Sequence, residues 1–534
     1  MSNRKLNVFL PILMAVVLAL GMFLGHKMPG SNTGSNTIFF AKASRGPLQE
    51  VLDLIKMKYV DTINTDDLQQ EAIEGMLMHL DPHSVYIPPS QLQQVNEDLE
   101  GNFEGIGVEF NITADTVNVV SVISGGPSEA AGLQTGDKIL KVGDSTVAGN
   151  GITTEKIRKL LRGPKDSEVT TTLLRNGKQI TAKIKRGIIP IYSVDASYMI
   201  APAVGYIKIS KFSATTYDEF MNAMRKLQRA GMQKLIIDVR QNPGGFMDAA
   251  TRILDELLDE PKLLVYTKGK DFPKAEFKTK RPGVFEKGPL AILTDEGSAS
   301  ASEIVAGAIQ DWDRGAIIGR RTFGKGLVQE QYDLDNGGAL RLTVARYYIP
   351  SNRSIQKPYG NGLAAYEDDI NERFNHGELV NKDSIRITDT VPYKTASGRR
   401  VYGGGGITPD IFVPFDTSRF STTLMAIYTR NTFSNFAYQY FTTHKEEFKQ
   451  YKDAQDFTNK FQTTPAIYNE FKAFAKTDSI PGLDRISARD EAEIRSRIKA
   501  LMARQLYRTE GFYETINATD PVVKKALETL EKEQ

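Results

Sequence analysis

The sequence predicts an α/β core preceded by an inserted β-rich module, with a helical segment before them and an α-helical extension after. Three observations predict it. From about residue 200, short apolar strands alternate with amphipathic helices, the pattern of a largely parallel sheet. From residue 103 to about 188 the text is instead strand after strand with Gly-rich turns. Beyond 416 it is charged and helical, and its aromatics, such as Phe433, Phe436, Tyr438, Tyr440 and Phe441, suit buried helix faces.

A chain of 534 residues is long enough for several such units. Its 67 Lys+Arg against 65 Asp+Glu leave a formal charge of +2, so no overall field draws it to nucleic acid or to an acidic surface. With no cysteine, disulfides, thiolate nucleophiles and Cys-based metal sites are excluded together.

At the N-terminus, Arg4 and Lys5 precede an apolar run of 18 residues, Val8 to Gly25, and a polar linker. No small-residue cleavage site follows the run, so residues 1–44 are expected to be an uncleaved signal anchor and linker. The basic flank would stay inside and the rest face outward, which in a double-membrane bacterium is the periplasm.

Residues 45–100 carry apolar positions at helical spacing, Leu48, Val51, Leu52 and Ile55, then Ile73, Met76, Leu77 and Leu80. His79 and His83 stand four apart, but Asp81-Pro82 ends the helix between them and no carboxylate pattern completes a metal site. Both are expected at the surface or in a cap.

The β-rich module, residues 101–188, holds a Gly105-Ile106-Gly107-Val108 turn, a Pro127–Leu133 helix start (PSEAAGL) and Gly136-Asp137-Lys138-Ile139-Leu140. Together these resemble a PDZ domain. The resemblance implies a nest of N–H groups at the turn that takes a carboxylate, beside a strand edge to which an extended peptide adds.

In the α/β region, residues 189–415, two strand-to-helix turns stand out: Asp238-Val-Arg-Gln-Asn-Pro-Gly244-Gly245, and Thr294-Asp-Glu-Gly-Ser-Ala-Ser300-Ala301-Ser302-Glu303. Ser-x-x-Glu also spells a capping box, so the second turn alone reads as an ordinary helix start. A third segment, Gly319 to Lys325, matches the opening of a phosphate-binding loop. Gly326 stands where that loop needs Ser or Thr for magnesium, and the continuation LVQEQYDL reads as strand where such a loop opens a helix.

GSASASE, then GKGLVQ with Lys325 25 positions after Ser300, then Arg346-Tyr347-Tyr348 and the Ser354-Ile355-Gln356 stretch resemble the C-terminal processing proteases, the S41 family of Ser/Lys peptidases. The resemblance spans about residues 45–415, to the closing GGGGITPDI at 403–411, and implies a protease core of crotonase-like ββα units with an inserted PDZ module. It implies Ser300 as nucleophile, Lys325 as general base, Gln329 as the residue orienting that lysine, and no cofactor or metal.

Chemistry agrees. A serine hydroxyl needs a base, and no histidine occurs between Gly187 and Pro358, so an ordinary Ser-His-Asp triad cannot be assembled from nearby chain. Lysine serves if burial lowers its pKa. Oxyanion donors are expected from the N–H of Ala301 and from Gly244 or Gly245, between which the sequence does not choose.

Expected partners are protein or peptide substrates with free C-termini, the membrane through the N-terminal segment, and a homo-oligomer or adaptor through 416–534. The role of an insertion at about 358–402 is not readable. A non-catalytic scaffold that binds tails is the competing reading, against which Ser300, Lys325 and Gln329 all speak.

Overall fold

A computed structural model describes residues 46–113, 115–416 and 421–532. The N-terminal anchor read at residues 1–44 lies outside them. No helix among the described residues is long and apolar enough to cross a membrane. The chain divides after Gln69 into two units. The first contributes the helix Pro47–Lys58, along which Leu48, Val51, Leu54 and Met57 are exposed. The second unit, from Gln70 onward, carries both sheets of the α/β region, the β-rich module and the C-terminal helices.

Its core is a six-stranded sheet whose spatial order follows the chain: β1 Val194–Ala201, β2 Val204–Ile209, β3 Lys234–Asp238, β4 Leu290–Thr294, β5 Ala316–Gly319 and β6 Ile411–Phe412. β1 and β2 form an antiparallel hairpin and the remaining pairs are parallel. Both faces are covered, which is why β2 and β4 are buried at every position.

Alternate side chains go to opposite faces. Ile207, Ile209, Leu235, Ile237 and Ile292 pack under α1 (Thr216–Arg229), α2 (Met247–Asp255) and α3 (Ala301–Asp311). Tyr206, Ile236, Ala291, Leu293 and Ile318 face the other way, where α4 (Pro521–Lys532) covers them with Val522, Val523, Ala526 and Leu530. The extension read at 416–534 therefore divides. Its last helix is the second layer of the core sheet, while the helices from Thr422 to Asn517 form their own core around Phe433, Phe457, Phe471, Ile494 and Ile498.

A second sheet is antiparallel throughout. It combines Val85–Ile87, Leu263–Lys268, Ala275–Lys278, Leu327–Asp333 and Ala339–Tyr348, so the chain just before Val85 is brought to the start of the Leu327 strand.

The β-rich module leaves the core through a two-stranded neck, Asn102–Gly105 against Gly187–Pro190. Its sheet runs Val108–Thr113, Thr116–Val122, Lys138–Val142, Glu168–Arg175, Lys178–Lys185, which leaves the strand after the GIGV turn at an edge.

Candidate active site

Ser300 sits where β4 turns into α3, as the helix's N-cap residue, with φ 54° and ψ −114°. Ordinary N-caps are extended with negative φ. A non-Gly residue in this region is costly, about 1–3 kcal/mol, and persists only where its surroundings hold it. Here the holding groups are specific. Ala299 N–H and Ser302 Oγ both donate to the carbonyl of buried Asn242, at 2.9 and 3.0 Å. Asn242 Nδ2 donates to Ile209 O at 3.0 Å, and Asp295 accepts from the N–H and Nε2 of Gln241 at 2.8 and 2.7 Å. The two turns that the sequence singled out are thus laced into one unit at the C-terminal ends of β3 and β4.

Glycines permit the approach. A Cβ on Gly244 (φ 99°) would lie 2.7 Å from Ser300 Cβ, and one on Gly245 (φ 139°) would lie 2.0 Å from Phe212 O. The structure brings Ala301 and both glycines together and separates the two glycines chemically. Gly244 N–H already donates to Asn242 Oδ1 at 2.9 Å, whereas Gly245 and Ala301 N–H have no backbone or side-chain acceptor among the described residues.

Lys325 arrives from the other side, in the turn between β5 and the strand Leu327–Asp333. Its Nζ donates to Gln329 Oε1 at 3.0 Å, and Gln329 Nε2 donates to the carbonyl of His83. A register shift between Val328 and Gln329 re-aims that side chain within the strand. Burial brings the Lys325 ammonium down to about 8, the Arg341 charge assisting, while Asp81 and Glu303 pull the other way.

Glu303 joins the two halves. Its carboxylate is fully buried; Oε2 accepts the N–H of Ser300 at 2.9 Å and of Lys325 at 2.8 Å, and Oε1 accepts Gly324 N–H at 2.8 Å and the Thr322 hydroxyl. Burial pushes the carboxyl up to about 7, against these four donors, which favour the anion. Ser-x-x-Glu in the sequence announced the reach to Ser300; nothing local announced the reach across to Lys325.

His83 corrects the sequence reading, which put it at the surface or in a cap. It is half-buried beside Lys325, its Nε2 2.8 Å from Tyr366 Oη and its ring edge-on to Phe323 and Tyr366. Burial, then the Lys325 charge, lowers it to about 4, so the ring is neutral. Asp81 fixes its backbone by accepting the N–H of His83 and Ser84 at 2.8 and 3.0 Å and the Thr343 hydroxyl at 2.9 Å. His79 is exposed.

The insertion also has a place. Its helix, Leu363–Asn375, sets Tyr366 against Phe323 and buries Arg373, which donates to Thr322 O, Arg321 O and Glu378; Glu378 in turn pairs with Arg321. It braces the lysine turn from outside.

In the β-rich module, the carbonyl of Ile106 accepts Ser128 N–H and Oγ at 3.0 and 2.6 Å, and that of Gly107 accepts Ile123 N–H at 3.1 Å. The N–H groups of Ile106 and Gly107 have no backbone partner among the described residues. Gly107 has φ 76°, and Gly105 and Val108 end and begin the flanking strands.

Residues 203–365 match the family description "Peptidase family S41" and 105–185 match "PDZ domain". Residues 30–89 match "Activating protease CtpB N-terminal domain", and 423–508 match a family of unknown function. A "Probable CtpA-like serine protease" of Staphylococcus aureus is 32% identical over 355 residues, 66% of this chain and 69% of that protein. The chain belongs to the S41 carboxy-terminal-processing serine proteases. Within the family, a "Carboxy-terminal-processing protease" of Bartonella bacilliformis is 35% identical over 313 residues, 58% of this chain and 71% of that one. Among solved structures, a photosystem II D1 C-terminal processing protease is 26% identical with a TM-score of 0.34, covering 70% of this chain and 88% of its own. This S41 member thus pairs a protease core with a PDZ module, as the sequence led one to expect.

Proposed function

We propose that this chain is an envelope-anchored endopeptidase that takes protein C-termini on its PDZ module and cleaves peptide bonds with Ser300 as nucleophile and Lys325 as base. The observation that carries the reading is the shared Glu303 carboxylate, which sets the main chains of Ser300 and Lys325 on one oxygen.

Neutral Lys325 Nζ takes the Ser300 proton as Oγ attacks the scissile carbonyl. The oxyanion forms toward the N–H of Ala301 and Gly245, the donors left without protein acceptors. The Lys325 ammonium then gives its proton to the leaving amine as the C–N bond breaks, leaving an ester on Ser300. Water, deprotonated by the same lysine, attacks the ester, and Ser300 recovers its proton as the C–O bond breaks. Gln329 Oε1 accepts from Nζ throughout, keeping the lone pair aimed.

With a pKa of about 8, about a tenth of Lys325 is neutral at pH 7, against about three in ten thousand for an ordinary lysine. That difference is what lets a lysine replace histidine here.

Ser300→Ala and Lys325→Ala should each fold and lose peptide cleavage. Full activity in either would overturn the dyad. Anchoring rests on the 18-residue run from Val8 to Gly25 and is tested by cell fractionation with and without it; unchanged partitioning would remove it.

A further inference from the structure

We infer that Tyr347 is a positioning residue for the reaction proposed above, its phenol holding the base's main-chain carbonyl beside the nucleophile's. Tyr347 is 2% exposed, in the strand Ala339–Tyr348, and its N–H donates to Gly326 O at 3.0 Å. Its hydroxyl donates to the carbonyl of Lys325 and lies 3.1 Å from the carbonyl of Ser300. The N–H groups of the same two residues meet on Glu303 Oε2. Donors converge on one buried side chain and acceptors on another.

The two carbonyls are not equally in need of it. Ser300 O also accepts Glu303 and Ile304 N–H at 2.8 and 3.0 Å, so the start of α3 fixes it already. Lys325 stands between Gly324 and Gly326, which restrict the backbone least of all residues. The phenol has one proton, which the two carbonyls share, the shorter contact being to Lys325; through it the fixed helix start steadies the lysine turn. A lysine must also be held against its own four-carbon flexibility, and misplacement by about 1 Å costs on the order of a hundredfold in rate.

An ordinary core tyrosine with a satisfied hydroxyl would predict a loss of stability and nothing more. Tyr347→Phe separates the two, because it keeps the ring in place and removes only the oxygen. In the full chain we expect kcat to fall by about ten- to a hundredfold with KM within about twofold. The acid limb of the pH profile should move up by about half a unit, as a looser turn admits water to Lys325. The charged and titratable groups facing that ammonium, Arg341, Asp81, Glu303 and His83, are unchanged by the substitution.

Unchanged kcat and pH profile, or a lower melting temperature with an unmoved acid limb, would overturn the inference. If Tyr347→Phe does not fold, exchange of the Tyr347 hydroxyl proton in the unaltered protein decides, because Glu303 already protects Lys325 N–H. That proton should exchange slowly enough to be seen by NMR, and exchange at the rate of an exposed tyrosine would overturn the inference. Lys325→Ala is the companion: its loss of activity beside a normal Tyr347→Phe sinks only the Tyr347 inference, whereas an active Lys325→Ala sinks the dyad and this inference with it.

Discussion

Two glycine-flanked turns, the one that carries Lys325 and the one that opens the PDZ module, are built in opposite ways. In Thr322–Gly326, the N–H groups of Gly324 and Lys325 end on Glu303, that of Gly326 on Gln356 at 2.8 Å, and the carbonyl of Lys325 on Tyr347. In Gly105–Val108, the carbonyls of Ile106 and Gly107 are occupied and their N–H groups are left over. A backbone satisfied from within suits the proposed base, which has to be held still; open donors suit the proposed carboxylate, which comes from outside. Glycine serves both by allowing positive φ, 93° at Gly324 and 76° at Gly107, and by leaving room for close neighbours.

The strongest way to break the contrast is to remove the cation that the first turn confines. Lys325→Met should abolish cleavage, by about a thousandfold or more, and yet raise the melting temperature. Its folded pKa, about 8, lies below the ordinary 10.5, so the folded chain binds fewer protons between those values. The penalty is fully present below about pH 8 and disappears as pH rises through about 10.5, and Met removes about 1–3 kcal/mol of it at pH 7. A melting temperature lowered at pH 7, or a gain that grows above pH 10, would contradict this.

In the unaltered protein, kcat/KM should rise about tenfold per pH unit up to about pH 8 and level off above it. Below about pH 7 the slope should steepen, because protonating Glu303 removes an acceptor from the turn. A profile flat from pH 6 to 8 would contradict it.

The second turn is open to a gentler test. A Cβ on Gly107 meets Ile189 Cδ1 at 3.0 Å and forces a side chain onto φ 76°. Gly107→Ala should raise KM for peptides with a free C-terminus by about fivefold, at about 1 kcal/mol of strain, and leave kcat alone. Peptides amidated at the C-terminus should start from the higher KM and be indifferent to the substitution. Equal KM for both peptides in the unaltered enzyme would deny the turn its anion.

How much of the molecule was legible in the sequence depends on the range of each interaction. Strand and helix periodicity placed the α/β core, and glycine turns placed the PDZ module, because those signals are local. Ser300, Lys325 and Gln329 were found by resemblance, and the structure sets Lys325 and Gln329 in one hydrogen-bonded chain. The choice between Gly244 and Gly245 was not legible, since it turns on where one Asn242 oxygen points. The helix Pro521–Lys532 looked like any amphipathic helix; that its apolar stripe completes the core sheet depends on a partner about two hundred residues or more away. The insertion likewise spells nothing locally, yet Arg373 and Tyr366 brace the lysine turn.

His83 gives the smallest expected effect and the sharpest test of where function resides in a residue. Its carbonyl, not its ring, accepts from Gln329, and that carbonyl is aimed by Asp81 through the N–H groups of His83 and Ser84. The ring is neutral near pH 7 and is occupied with Tyr366 and Phe323. His83→Phe keeps the carbonyl and the edge-on packing, so kcat should change by no more than about threefold and the pH profile should stay in place. A loss approaching that of Lys325→Ala would mean that the imidazole itself carries the proton. The base would then have been supplied by a residue the chain brings in from more than two hundred positions before Ser300.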